Sequence, residues 1–365
     1  MNIIQYNKND IWGLLSISFY VIYHTLQGFH DTLMKVFLLL GLLTSVIYIL
    51  TLKKFKKETL LLLLGLGIII LIQFPVSFDI RMVVLFICMV VGTYVDLDDL
   101  LQWMFVSKLL AFIVGTAIGW ARGNTSALHG GMLILMYICA NRKNIRWRHI
   151  AITAVSTVLL YIFTGTATSL LGLGIAVIML VYYKLCNTKK IFRWKLVEYV
   201  FPAALLFNLT CVLTFVDKKI PIIGQWMPRS INSMFYEFVR FVDVAMTSRI
   251  TLAAASWPVF GVSLWGGNAN YNLLNLTKNV YYNLDSGMMW LIHGKGIILT
   301  VIFMFLTVNV MKYFIKQKEY ILVIAGVVIA CWAMIEDMLF IVGTNFLIAL
   351  YGKALLMNWK KRITL

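Results

Sequence analysis

Apolar residues dominate this chain in long unbroken stretches rather than at alternating positions. Leu60 to Phe74, Arg81 to Val95 and Ala151 to Phe163 carry almost no internal charge, and similar stretches recur along nearly the whole length. Runs of about 15–22 residues match the length that a bilayer core requires of an α-helix. Read in order, they predict roughly twelve spans, at 11–27, 33–52, 60–75, 81–95, 100–120, 131–141, 149–164, 169–185, 197–216, 287–309, 320–335 and 338–356. The expected fold is all-α, a polytopic membrane bundle of about twelve transmembrane helices forming one integral membrane domain over 1–365. Spans four and six are short, and six could be partly re-entrant.

Residues 217–285 interrupt the pattern as one long loop. Within it, 230–256 place Phe235, Phe238, Val239 and Val242 at helical spacing opposite Glu237, Arg240 and Asp243. That periodicity predicts an amphipathic helix lying on a membrane or on other helices. The following GVSLWGGNANYNLLN is rich in Gly and Asn and reads as turns.

Composition sharpens the picture: 61% of residues are hydrophobic and 13% charged, with a mean hydropathy of +0.87. Average soluble domains carry about 45–50% apolar and about 25% charged residues, which excludes a soluble monomer. The net charge of +17 would suggest nucleic acid in a soluble protein, but 19 of the 32 Lys and Arg fall in five blocks, each after an even-numbered span. The positive-inside rule makes those blocks cytoplasmic loops, so nucleic acid is not an expected partner. By the same parity both termini are cytoplasmic and 217–285 is extracytoplasmic. The hairpin carrying Asp96, Asp98 and Asp99 brings no basic residue of its own. His149, after a basic loop, is expected to be solvated. MNIIQYNKND gives no sign of a cleavable secretory signal, so the first span is expected to remain. The five Cys are scattered without CxxC or Cys/His spacing, so no metal site, disulfide framework or cofactor is expected.

Two segments carry a family likeness. SRITLAAASWPVFGVSLWGG at 248–267, then YNLDSGMMWLIHGKGIILTVIF at 282–303 entering a span, resembles the Wzy-type polymerases of bacterial O-antigen, capsule and exopolysaccharide synthesis. GNTSALHGGMLILMYICANRK at 123–143 is similar to the family's Gly-x-Gly-His-Pro-Asn segment, which also precedes a span and a basic loop. The chain departs where Gly130 and Gly131 follow His129, and where Ser286 and Gly287 follow Asp285.

The resemblance implies a GT-C-like membrane glycosyltransferase of the bacterial plasma membrane, independent of metal. Its substrates would be donor and acceptor oligosaccharides linked to undecaprenyl diphosphate, and a chain-length regulator would be a further partner. The chemistry makes its own demands. A diphosphate leaving group gathers negative charge as the anomeric bond breaks, and Arg or Lys must meet it. Arg249 lies in the family-like motif ahead of the apolar TLAAAS, with Arg122 and Arg240 as further diphosphate-binding candidates, set against Arg side chains that snorkel to lipid phosphate. An acceptor hydroxyl must lose a proton to His, Asp or Glu. His129, His293 and Asp285 are the catalytic candidates, although a carboxylate heading a helix is also an ordinary cap. The cavity is expected between the outer ends of spans five, six and ten, under the long loop.

Other polar groups stay open. Lys108 in span five faces the bundle interior or snorkels. Glu336 and Asp337 form a solvated turn or bind a cation. Thr164, Thr166, Thr168 and Ser169 bind sugar or pack helices. A related ligase, and a lipid-linked oligosaccharide flippase or secondary transporter, share the bundle architecture, although no repeat relates the halves.

The alternation of basic blocks predicts sidedness. In a Cys-less background, an impermeant thiol reagent should label a cysteine at position 278 in intact cells and one at position 143 only after permeabilisation. The reverse pattern would overturn the orientation.

Overall fold

The computed structural model describes residues 10–26, 31–52, 57–77, 79–117, 124–186, 195–246, 248–267 and 286–363. The described residues are helical, with no strand among them. The helices are α1 (Asp10–Thr25), α2 (Asp31–Thr51), α3 (Lys57–Ser77), α4 (Ile80–Tyr94), α5 (Leu97–Ala117), α6 (Asn124–Ala140), α7 (Trp147–Thr164) and α8 (Ala167–Leu185). Then follow α9 (Val200–Asp217), α10 (Arg229–Ala245), α11 (Arg249–Phe260), α12 (Gly287–Trp290), α13 (Gly296–Lys316), α14 (Tyr320–Ala333) and α15 (Tyr351–Ile363).

Among the described residues five stretches are long and apolar enough to cross a membrane: Thr32–Thr51, Leu97–Ala117, Trp147–Thr164, Lys195–Asp217 and Gly287–Lys316. As whole helices α3 and α8 run 21 and 19 residues, but the apolar stretches outside these five run 10–17 residues. At about 1.5 Å per residue they rise roughly 15–25 Å, against about 30 Å of hydrocarbon. Only part of the expected set of about twelve spans is therefore met by helices of crossing length.

The last expected span, 338–356, is not one helix. Its first part is a chain of turns, followed by a tight 3-10 segment, Phe346–Leu350, and then α15. Thr344 donates to the Met338 carbonyl at 3.1 Å and the Asn345 amide to the Leu339 carbonyl at 2.9 Å, so side chains serve backbone that no helix serves. Met338, Leu339, Phe340 and Val342 are buried. Their hydrophobicity reflects packing inside the bundle, where irregular backbone is tolerated away from lipid.

The connections sort to two ends. At one, Asp98 pairs with Arg142 and Lys143, and the Arg142 Nε donates to Glu319 at 3.0 Å. The acidic hairpin thus borrows its basic partners from the α6–α7 connection, as parity requires. His149 is buried rather than solvated: its Nδ1 accepts from the Arg146 amide at 2.9 Å and closes the start of α7. At the other end, Asp79 before α4, Asp337 after α14 and the start of α11 come together.

The amphipathic segment expected over 230–256 is two helices, not one. Ser248 has a φ of 64°, which breaks the run. Asp243 of α10 reaches across the break and accepts from the amides of Ile250 at 2.8 Å and Thr251 at 3.0 Å. A side chain from the preceding helix therefore caps α11, satisfying amides that a helix start leaves bare.

Candidate functional site

The turn after α11 and the start of α13 meet in space. The turn after α11 supplies the carbonyls of Ser263 and Leu264, which accept from the amides of Ile297 at 3.0 Å and Ile298 at 3.2 Å in the first turn of α13. Two glycines permit this. Gly266 and Gly296 both have φ of 79°, and a Cβ on either would collide with the backbone of the other segment. Just before Gly296, residues Leu291–Lys295 form a π-helical turn, a local widening of the helix of the kind found at functional sites.

That turn presents Lys295 inward. Its Nζ donates to Asp79 at 2.8 Å, and it is fully buried. Asp79 also accepts from the Arg81 Nε at 3.0 Å and from the Arg81 backbone amide at 3.0 Å. The other arm of Arg81 donates to Asp337 at 3.0 Å. Both cations lie over the Trp290 ring, at 4.3 and 4.4 Å from its centroid. Arg249, at the start of α11, faces Glu336 at 3.8 Å. Three cations thus meet three carboxylates, and Glu336 and Asp337 form neither a solvated turn nor a separate cation site. Burial pushes the Asp79 carboxyl up, but Arg81 and then Lys295 pull it down further and leave it below its ordinary value.

His293, also on the π turn, packs against α11. Its Nδ1 lies 2.5 Å from the Gly261 carbonyl and its Nε2 3.4 Å from the Ser256 hydroxyl. A carbonyl can only accept, so Nδ1 carries the proton and Nε2 is the acceptor. Ser256 donates to the Ala253 carbonyl at 2.6 Å, and its proton is already committed. The pair is therefore a histidine held in one tautomer rather than an activated serine. Trp257 meets the His293 ring edge-on at 5.3 Å.

His129 belongs to a separate cluster. Its Nδ1 lies 2.5 Å from the Nζ of Lys108, which donates to Thr25 at 3.0 Å. Lys108 thus faces the interior and does not snorkel. His24, on α1, is buried beside Tyr23. Of the residues singled out in the sequence, the structure gathers Arg249 and His293 around α11 and leaves His129 among α1, α5 and α6. Arg240 stands on the exposed surface of α10, paired with Glu237 at 3.2 Å. Arg122 and Asp285 lie outside the described residues, and the cap of α12 is made by Ser286, whose hydroxyl accepts from the Met289 amide at 3.3 Å. Asp79 and Trp290 were missed, and His24 was set aside for want of a motif. For Asp79 a signal existed, because an Asp-x-Arg directly before an apolar span places two opposite charges where neither is cheap to bury.

No protein-family model matches the chain, and no curated protein or solved structure does.

Gly296→Val should lower stability by about 2–4 kcal/mol through a strained φ and a backbone clash, read as an earlier thermal unfolding in detergent. An unchanged melting temperature would show that the two segments do not dock this closely. Asp79→Asn should cost about 3 kcal/mol, because it leaves buried Arg81 and Lys295 undercompensated. A depressed carboxyl stabilises above its unfolded value and loses that contribution as pH falls through its folded value. The gap between wild type and Asp79→Asn should therefore stay constant near neutrality and shrink below the unperturbed value of 3.8. A gap that widens in acid would contradict the assignment.

Proposed function

We propose that this protein is a membrane glycosyltransferase that polymerises oligosaccharide repeat units carried on undecaprenyl diphosphate. It would act at the outer face of a bacterial plasma membrane, building O-antigen, capsule or exopolysaccharide. One observation carries the reading: α11 holds Arg249 at its first residue and packs Ser256, Trp257 and Phe260 against His293. A cation and a base expected on motif grounds thus meet at one short helix, Arg249 as its first residue and His293 packed against its far end from the π turn. The seven helical steps from Arg249 to Ser256 rise about 10 Å, enough for a sugar ring and its diphosphate.

In this reading the acceptor hydroxyl gives its proton to the His293 Nε2 and its oxygen attacks the anomeric carbon of the donor. The anomeric bond to diphosphate breaks, and the planar guanidinium of Arg249 meets the departing charge. One-step attack from the face opposite the leaving group needs no covalent intermediate. Arg81 and Lys295, already held by carboxylates, fix the platform from which α11 and the π turn project.

One observation favours a second reading, a lipid-linked oligosaccharide flippase or secondary transporter. Lys108, His129 and His24 are buried among helices, and intramembrane ionisable groups often mark proton or ion pathways. A related ligase would use the same chemistry on a different acceptor.

The test is a reconstituted assay in vesicles with lipid-linked repeat units, reading polymer length and donor binding. Arg249→Lys should lower turnover about 100-fold, because the point charge remains but the bidentate fork is lost. His293→Ala should lower turnover and leave donor binding largely intact. Normal polymerisation by Arg249→Ala at equal abundance would sink the assigned role. Movement of lipid-linked units across the bilayer without polymer would select the transporter instead.

A further inference from the structure

The helix α10 has three sides rather than two. Its buried side carries Asn232, Val239 and Asp243. A second, polar and exposed side carries Ser230, Ser233, Glu237 and Arg240. A third side carries Ile231, Met234, Phe238 and Phe241 at spacings of three, four and three residues. These four are 38%, 71%, 46% and 72% exposed, respectively. An apolar stripe so regular and so open is not the pattern of isolated surface hydrophobes.

Loose docking does not explain the exposure, because both ends of α10 are pinned by buried polar side chains. Asn232 accepts from the Ile220 amide at 3.0 Å and donates to the Gly224 carbonyl at 2.8 Å, tying the helix to the connection from α9. Asp243 caps α11 at the other end. Rotation about the helix axis would break both, so the stripe is fixed facing outward. It also continues a surface already apolar. Val216 at the end of α9, then Ile222 and Trp226 in the connection, are 43%, 84% and 73% exposed. Val216 ends Lys195–Asp217, a stretch long enough to cross a membrane, so the apolar surface runs on from that stretch through the connection. Exposed Lys218, Lys219 and Arg229 flank the connection, outweighing the single exposed Asp217 there.

We propose that α10 lies in the plane of the membrane. Ile231, Met234, Phe238 and Phe241 enter the boundary between headgroups and acyl chains, the polar side faces headgroups and water, and Lys218, Lys219 and Arg229 meet lipid phosphate. The occupant of the stripe is the bilayer itself. The inference is independent of the glycosyltransferase reading.

Spin labels at single cysteines from 230 to 242, introduced into a Cys-less protein in phosphatidylcholine–phosphatidylglycerol vesicles, test this. Accessibility to oxygen should peak at positions 231, 234, 238 and 241, and accessibility to a water-soluble nickel chelate should peak at 230, 233, 237 and 240. Equal nickel access at 240 and 241 would overturn the proposal. So would a label at 241 reached by neither reagent, since that marks a protein partner or a second copy. A photoreactive benzoyl-phenylalanine at position 241, with the native cysteines kept, provides an independent readout. Lipid adducts are expected, and chain-to-chain adducts in their place would refute membrane insertion.

Discussion

Charge compensation in a setting that cannot solvate charge governs this structure. An isolated ion in a low-dielectric interior costs several kcal/mol, and its presence is tolerable only when a counter-ion is placed against it. Asp79 supplies that counter-ion twice, to Arg81 and to Lys295. In doing so it joins residues that are 216 positions apart in the chain. Asp337 and Glu336 extend the arrangement to the segment after α14, and Arg249 extends it to α11. Four chain segments are thereby fixed relative to one another by pairs whose breakage would strand a buried ion.

The irregular backbone follows from the same setting. The π turn at Leu291–Lys295 and the turns after α14 are two places where regular helix fails, and both are enclosed by protein. Within the turns after α14, side chains of Thr344 and Asn345 take over the hydrogen bonds that a helix would have made internally. Beside the π turn, the carbonyls of Ser263 and Leu264 do the same for α13. Departures from regular helix are thus concentrated where cations and the His293 ring must be aimed.

Much of this was legible in the sequence because it rests on local pattern. Apolar runs gave the positions of most helices, and the parity of basic blocks put the Asp96–Asp99 hairpin on the same side as the Arg142 block, which the Asp98–Arg142 pair fits. Arg249 and His293 could be picked out because they lie inside recognisable segments. What could not be read depends on contacts distant in sequence. Asp79 gains its meaning from Lys295 and Arg81 together, and Lys108 from His129 and Thr25. The break between α10 and α11 hides within an unbroken amphipathic period because Asp243, a residue of the first helix, caps the second. Hydrophobicity also cannot separate lipid-facing from core-facing residues, and so Met338 to Val342 passed for part of a span.

The docking of the Gly266 turn onto Gly296 bears on how such a protein could diversify. It fixes the two ends between which residues 268–285 must connect, independently of what those residues are. The entropy of closing a chain between fixed ends grows slowly with length, about 0.6 kcal/mol for each doubling. A longer or shorter connection between Gly267 and Ser286 would therefore cost the docking little in chain entropy. The two glycines themselves are the positions where the docking least tolerates change, since a Cβ on either would meet the backbone of the other segment.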